Sequence, residues 1–105
     1  MSVFVQVFRA KVAPSDVARL LEIRPAAIAQ AQAKCPVPLR AELVKLDDGT
    51  WLDILTWSEP NGAEQLMEHA AELPLLGEMH SLIGQVMSVR AGEVAHSTHG
   101  LTPAR

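Results

Sequence analysis

Few residues in this 105-residue chain have side chains that could do chemistry: four histidines, one cysteine and an aspartate set among tryptophans. His80 stands four residues after Leu76 and three before Ile83, beside the apolar stripe of a short helical segment. Histidine titrates near neutral pH without help, so on a cavity wall it could serve as general base or hydrogen-bond donor. At the edge of a core it would only border the packing. His69 flanks the stripe of the preceding helix, and His96 and His99 fall in an aperiodic stretch where solvation is expected. His69 and His80 are eleven residues apart with Pro74 between them. That is not the four-residue helical spacing by which two histidines share a metal. Glu68, Glu72 and Glu78 suit exposed helix surfaces, so no metal site is expected. Cys35 ends a helix before Pro36, with no histidine near it in sequence to activate a thiolate. The six glycines form no phosphate-binding cluster.

Asp53 is harder to place. In "TWLDILTWS" it shares one side of a strand with Trp51, Leu55 and Trp57. A buried carboxylate needs a partner. Arg40 and Arg90, on neighbouring strands by pattern, are the expected partners within or between subunits, and a catalytic carboxylate is the alternative. The tryptophans could stack on a flat ligand or pack an interface. The reading preferred for this side is a surface where two sheets meet. Gln6, inside "VFVQVFR", could orient a ligand carbonyl or satisfy a buried backbone group.

These residues need elements to hold them. Residues 3–9 are β-branched and aromatic, apolar on both faces apart from Gln6, which suits a strand covered on both sides. "APSD" has residues favoured at a helix start. Val17, Leu20, Leu21, Ala27, Ile28 and Ala31 then keep a helical period to Lys34. Pro25 lies inside that helix and predicts a kink or break near Arg24. "LRAELVKL" and "TWLDILTWS" alternate around Asp-Asp-Gly at 47–49, a hairpin whose aspartates are expected to serve the turn. "SEPNGAEQLMEHAAEL" predicts an amphipathic helix with Ala63, Leu66, Met67, Ala70 and Leu73 inward, capped by Ser58 or Asn61. Pro74 opens a shorter helix with Leu75, Leu76, Met79, Leu82 and Ile83 inward, and residues 85–94 form the last strand. The order β-α-β-β-α-(short α)-β on an antiparallel four-stranded sheet is the ferredoxin-like split arrangement of α+β proteins. Residues 1–94 make one domain and 95–105 a flexible tail. Its helices cover one sheet face, yet the strands are apolar on both, so a homodimer joined across the second face is expected.

Composition narrows the function. The chain is 49% hydrophobic with a net charge of −3, and its nine Lys and Arg form no basic stripe, which argues against nucleic acid. A single cysteine forbids an intrachain disulfide. No apolar run approaches the ~20 residues of a membrane span, and "MSVFVQVFRAKV" does not resemble a signal peptide, so a cytoplasmic protein is expected.

The residues from Arg24-Pro25 through "AELV", "DDGTWLDI" and Trp57 to the following helix resemble the central block of the dimeric α+β barrel proteins. The likeness is to uncharacterised bacterial members of the antibiotic-biosynthesis-monooxygenase-like group, and it covers residues 3–94. It implies a homodimer of ferredoxin-like subunits. The group includes cofactor-independent oxygenases of aromatic polyketides, haem-degrading enzymes, and many proteins of no assigned function. Haem-degrading members use a first-strand asparagine and a later tryptophan and histidine; here the first-strand polar residue is Gln6, neither later helix has a tryptophan, and only His80 matches. The polyketide oxygenases place tyrosine, tryptophan and asparagine around the substrate, and this chain has no tyrosine.

The reading that follows is a monooxygenase-like protein with no cofactor, acting on a small hydrophobic or aromatic compound held between helices and sheet. His80 is its catalytic candidate, and Gln6, Trp57, Met67 and Met79 are its substrate-binding residues. A non-catalytic ligand-binding or structural homodimer is the alternative, and a haem protein is the less favoured third.

Overall fold

Alternation on a pleated strand sends neighbouring side chains to opposite faces, so Trp51, Asp53 and Trp57 are buried while Leu52, Ile54 and Thr56 between them are not. The computed structural model describes residues 3–96. Its four strands are β1 (Phe4–Ala10), β2 (Leu39–Lys45), β3 (Trp51–Trp57) and β4 (Val86–Glu93), joined in one sheet of order β2-β3-β1-β4. All pairings are antiparallel, with Val7 opposite Ile54, Gln6 opposite Leu55 and Phe8 opposite Asp53. The helices are α1 (Val17–Lys34), α2 (Gly62–Glu68) and α3 (Pro74–Leu82). The expected ferredoxin-like β-α-β-β-α-β order holds. The part of the expected tail at 97–105 lies outside the described residues.

The hairpin between β2 and β3 turns on Gly49, whose φ of 86° is the left-handed angle that glycine adopts without strain. Leu46 and Thr50 close it, the Leu46 amide donating to the Thr50 carbonyl at 2.8 Å. Asp48 does serve this turn. Its Oδ1 accepts from both the amide and the hydroxyl of Thr50, at 2.9 and 2.6 Å.

Two helices differ from expectation. Pro25 does not break α1, which runs unbroken for 18 residues. Proline removes the donor that would meet the Leu21 carbonyl, but Leu21 and Pro25 both lie on the exposed side, where solvent can meet that carbonyl instead. The inward stripe of α1 is Leu20, Ile23, Arg24, Ala27 and Ala31, and Leu21 points out. The helix expected over 58–73 is shorter: α2 spans seven residues and a 3₁₀ turn follows at Ala70–Glu72. Met67, expected inward with Leu66, is 62% exposed.

After α1 the chain must turn through Cys35-Pro-Val-Pro, where two prolines supply no N–H. Gln32 fills the gap. Its Nε2 donates to the carbonyls of Cys35 and Val37 at 2.8 and 2.7 Å, and its Oε1 accepts from the Leu39 amide at 2.8 Å. One side chain thereby fixes where β2 begins.

The core sits between the helices and one sheet face, with Leu20, Ala27, Trp57, Leu76 and Met79 among its least exposed members. The other face carries Val5, Val7, Leu52 and Ile54, all only half-buried. Among the described residues no helix is long and apolar enough to cross a membrane.

Candidate functional site

The helix-facing side of the sheet presents Gln6, Phe8, Asp53, Leu55 and Trp57, because Gln6 is cross-strand to Leu55 and Phe8 to Asp53. Ile28 and Ala31 of α1, Leu66 and Met67 of α2, and Met79 and His80 of α3 close over them. Between the layers lies a cavity of about 360 Å³ with a strongly apolar wall. A shallow groove lined by Gln6, Met67, Glu64 and Glu68 shares Gln6 and Met67 with it. An apolar, mostly enclosed space with a few polar groups is the general form of a small-molecule site.

All five candidate residues line this cavity: Gln6, Trp57, Met67, Met79 and His80. Their positions in it differ. Trp57 and Met79 are each 2% exposed and form its interior wall. The indole Nε1 of Trp57 donates to Oε1 of Gln6 at 3.4 Å, so the Gln6 carbonyl is spoken for and its amide nitrogen remains a donor. Met67 and His80 are exposed and stand at the rim. His80 is therefore not an enclosed base, and among the described residues no side chain holds its ring in one orientation. His69 is directed elsewhere: its Nδ1 donates to Glu72 at 2.9 Å. That bond, with the Lys34 ammonium, holds the Glu72 carboxyl below the usual range.

Two expectations about Asp53 are corrected. The face it shares with Trp51, Leu55 and Trp57 is the helix-covered face and carries the cavity, not a surface left for a second sheet. Its partner is neither Arg40 nor Arg90. Arg40 lies nearest Glu42 on the outer surface, and Arg90 is exposed, cross-strand to Val7 on the open face. Asp53 is held by Arg24 of α1, whose Nη2 donates to Oδ1 at 2.7 Å. The Arg24 Nη1 donates to the Met79 sulfur at 3.7 Å. Arg24 is 8% and Asp53 6% exposed, so this is a buried ion pair under an apolar cavity. The signal for it was present in the chain: Arg24 falls four residues after Leu20 and three before Ala27, on the stripe that must face the sheet.

Gly62 sets the close approach of α2 to the wall. A Cβ there would run into the Trp57 ring, at 2.7 Å from Cδ2. The buried Cys35 thiol lies behind it, 3.7 Å from the Gly62 carbonyl, and does not line the cavity.

No family model matches the chain, and no curated protein matches it. Solved structures do, over almost the whole length. A candidate antibiotic biosynthesis monooxygenase from Chloroflexus aurantiacus J-10-fl aligns with a TM-score of 0.66 at 12% identity, covering 95% of this chain and 99% of that one. SnoaB, a cofactor-independent oxygenase from Streptomyces nogalater solved as a point mutant, aligns at 0.56 and 20% identity, covering 94% and 96%. A dimeric ferredoxin-like protein from an uncultured marine organism aligns at 0.57 and 10% identity, covering 93% and 92%. The structural neighbours are thus antibiotic-biosynthesis-monooxygenase-like proteins of ferredoxin fold. At these identities the likeness establishes the fold of this chain.

Proposed function

We propose that this protein is a homodimer whose subunits each bind a small hydrophobic or aromatic compound in the cavity and oxygenate it without a cofactor. The observation that carries this reading is the convergence of Gln6, Trp57, Met67, Met79 and His80 on one largely apolar space. In such a space the wall desolvates and orients a flat ring, with Trp57 and Met79 against it and the Gln6 amide donating to a carbonyl. His80 at the rim takes a proton from an acidic C–H of the substrate. The resulting carbanion, delocalised over the ring, gives its electrons to molecular oxygen. Oxygen bonds to that carbon as a hydroperoxide, and loss of the carbon's second hydrogen as the O–O bond breaks leaves a carbonyl and releases the other oxygen as water. The name of SnoaB, an oxygenase described as cofactor-independent, supports this chemistry on this fold. The dimer is supported by the half-buried apolar face of Val5, Val7, Leu52 and Ile54, and by the dimeric neighbour.

Oxygen uptake with anthrone, comparing wild type with His80→Ala, tests the reaction. A rate above the buffer background that falls on losing His80 agrees with the assignment. Equal rates in the two proteins would remove His80 from the mechanism.

A second reading is favoured by one observation, the exposed and unheld ring of His80. It is binding without catalysis in the same cavity. Saturable binding of anthrone with no oxygen uptake is its signature.

A further inference from the structure

Asp53 has no part in the mechanism above, yet it lines the cavity. Its Oδ1 is occupied by Arg24 at 2.7 Å, and this is the one hydrogen bond at its carboxylate among the described residues. Among the described residues no fully buried side-chain oxygen or nitrogen lacks a partner, so Oδ2 keeps some open surface, on a residue that lines the cavity. A carboxylate oxygen with no donor, on a residue 6% exposed, is a strong acceptor beside an apolar space. Arg24 does not line that space: its two terminal nitrogens are directed to Asp53 and Met79. A ligand inside therefore meets the carboxylate and not the guanidinium. A shallow groove that shares Gln6 and Met67 with the cavity also carries Glu64 and Glu68, which add negative charge nearby.

We infer that Asp53 is the polar anchor and specificity determinant of the cavity, accepting on Oδ2 a hydrogen bond from a hydroxyl or N–H group of a neutral ligand while its charge turns carboxylates away. Arg24 is the positioning residue that fixes which carboxylate oxygen is left free. The inference rests on the cavity being a ligand site, as proposed above, and extends it to the functional group that the ligand must carry.

Calorimetric titration at neutral pH with naphthalene, 2-naphthol, 2-methoxynaphthalene and 2-naphthoate separates the two claims. The expected order is 2-naphthol tighter than its methyl ether by about tenfold, since one hydrogen bond to a charged acceptor is gained. 2-Naphthoate binds weakest. Asp53→Asn narrows the naphthol-to-ether ratio and tightens naphthoate. Should that variant fail to fold, the wild-type series decides, together with the Asp53 side-chain ¹³C signal. That signal must move on adding naphthol and stay still on adding the ether. If naphthalene, naphthol and ether bind alike, or naphthoate matches naphthol, Asp53 is not the anchor and the apolar cavity stands without it. If none of the four binds at millimolar concentration, the ligand site itself is wrong and the anchor with it.

Discussion

Arg24–Asp53 and Arg9–Asp48 are ion pairs of one length, 2.7 Å, one under the helices and one tying β1 to the hairpin turn. Arg24 and Asp53 have side chains 9% and 8% exposed on the helix-covered face, whereas Arg9 and Asp48 are 41% and 48% exposed at the turn. Equal distance does not mean equal consequence. Water already solvates the outer pair, so forming it gains little over leaving the two groups apart. The inner pair is largely withdrawn from solvent, and neither member has a substitute for the other. The same sheet thus spends one carboxylate on a turn and holds another where a ligand can reach it.

The largest effect should come from removing one inner partner. Arg24→Met leaves the Asp53 carboxylate buried and uncompensated, and urea unfolding should show a loss of about 3–5 kcal/mol. Adding Asp53→Leu should recover most of it, because two apolar side chains can fill the volume with no desolvated charge. A single variant as stable as wild type would mean that solvent reaches the inner pair, and the contrast between the two pairs would collapse.

Next in size is the wall beside that pair. Gly62→Ala pushes a methyl group into the Trp57 ring, and overpacking of this kind costs about 1–3 kcal/mol. Either α2 moves outward or the indole rotates, so the bond from Trp57 to Gln6 should weaken and ligand affinity fall with stability. Thermal unfolding and naphthol titration of the variant check both. Unchanged values would show that α2 is free to shift.

How much of this was legible in the chain differs between the faces. The hairpin was plain, since Asp-Asp-Gly between two alternating runs has one good geometry and Gly49 takes the positive φ that it requires. The composition of each face of β3 followed from period two, and the element order from the run of strand and helix patterns. Which face the helices cover did not follow, because Trp51 and Trp57 suit either side, and alternation is blind to what lies above. Arg24 decides it, but a charged residue on an apolar stripe is easily read as the edge of the stripe. Its long side chain crosses from helix to sheet, a contact across 29 positions that no local pattern encodes. The sequence put His80 beside its helix stripe and Met67 on that of the preceding helix, and both line the cavity, but the pattern did not show that both would stand exposed at its rim. That depends on how far the short α2 reaches over the sheet.

The open face offers a smaller and different break. Val7 and Ile54 are directly cross-strand there, both half-buried, in the middle of the apolar surface assigned to the dimer. Ile54→Arg should give a monomer near 11.4 kDa in sedimentation, against a wild type of twice that mass, while helix content by circular dichroism stays the same. A wild type that already sediments as a monomer would remove the dimer and leave this face simply solvated.

The smallest effect is the most diagnostic for the outer pair. The Asp48 carboxyl is held below its ordinary value of 3.8, first by the Thr50 hydroxyl, next by the Thr50 amide, and only then by the Arg9 charge. A lowered folded value means the unfolded chain takes up the proton more readily. The contribution is therefore complete above pH 3.8 and is lost as pH falls from there through the folded value. Asp48→Asn should remove that segment, so the stability difference between wild type and variant shrinks on acidification. Salt then separates the two causes. Screening weakens the exposed Arg9 charge but leaves the short bonds from Thr50 in place. The Asp48 titration followed by carboxyl ¹³C shifts should stay below 3.8 at high salt. A midpoint that climbs to the ordinary value would mean that Arg9, and not the turn, holds this aspartate. The outer pair would then be an electrostatic feature after all, nearer in kind to the inner one.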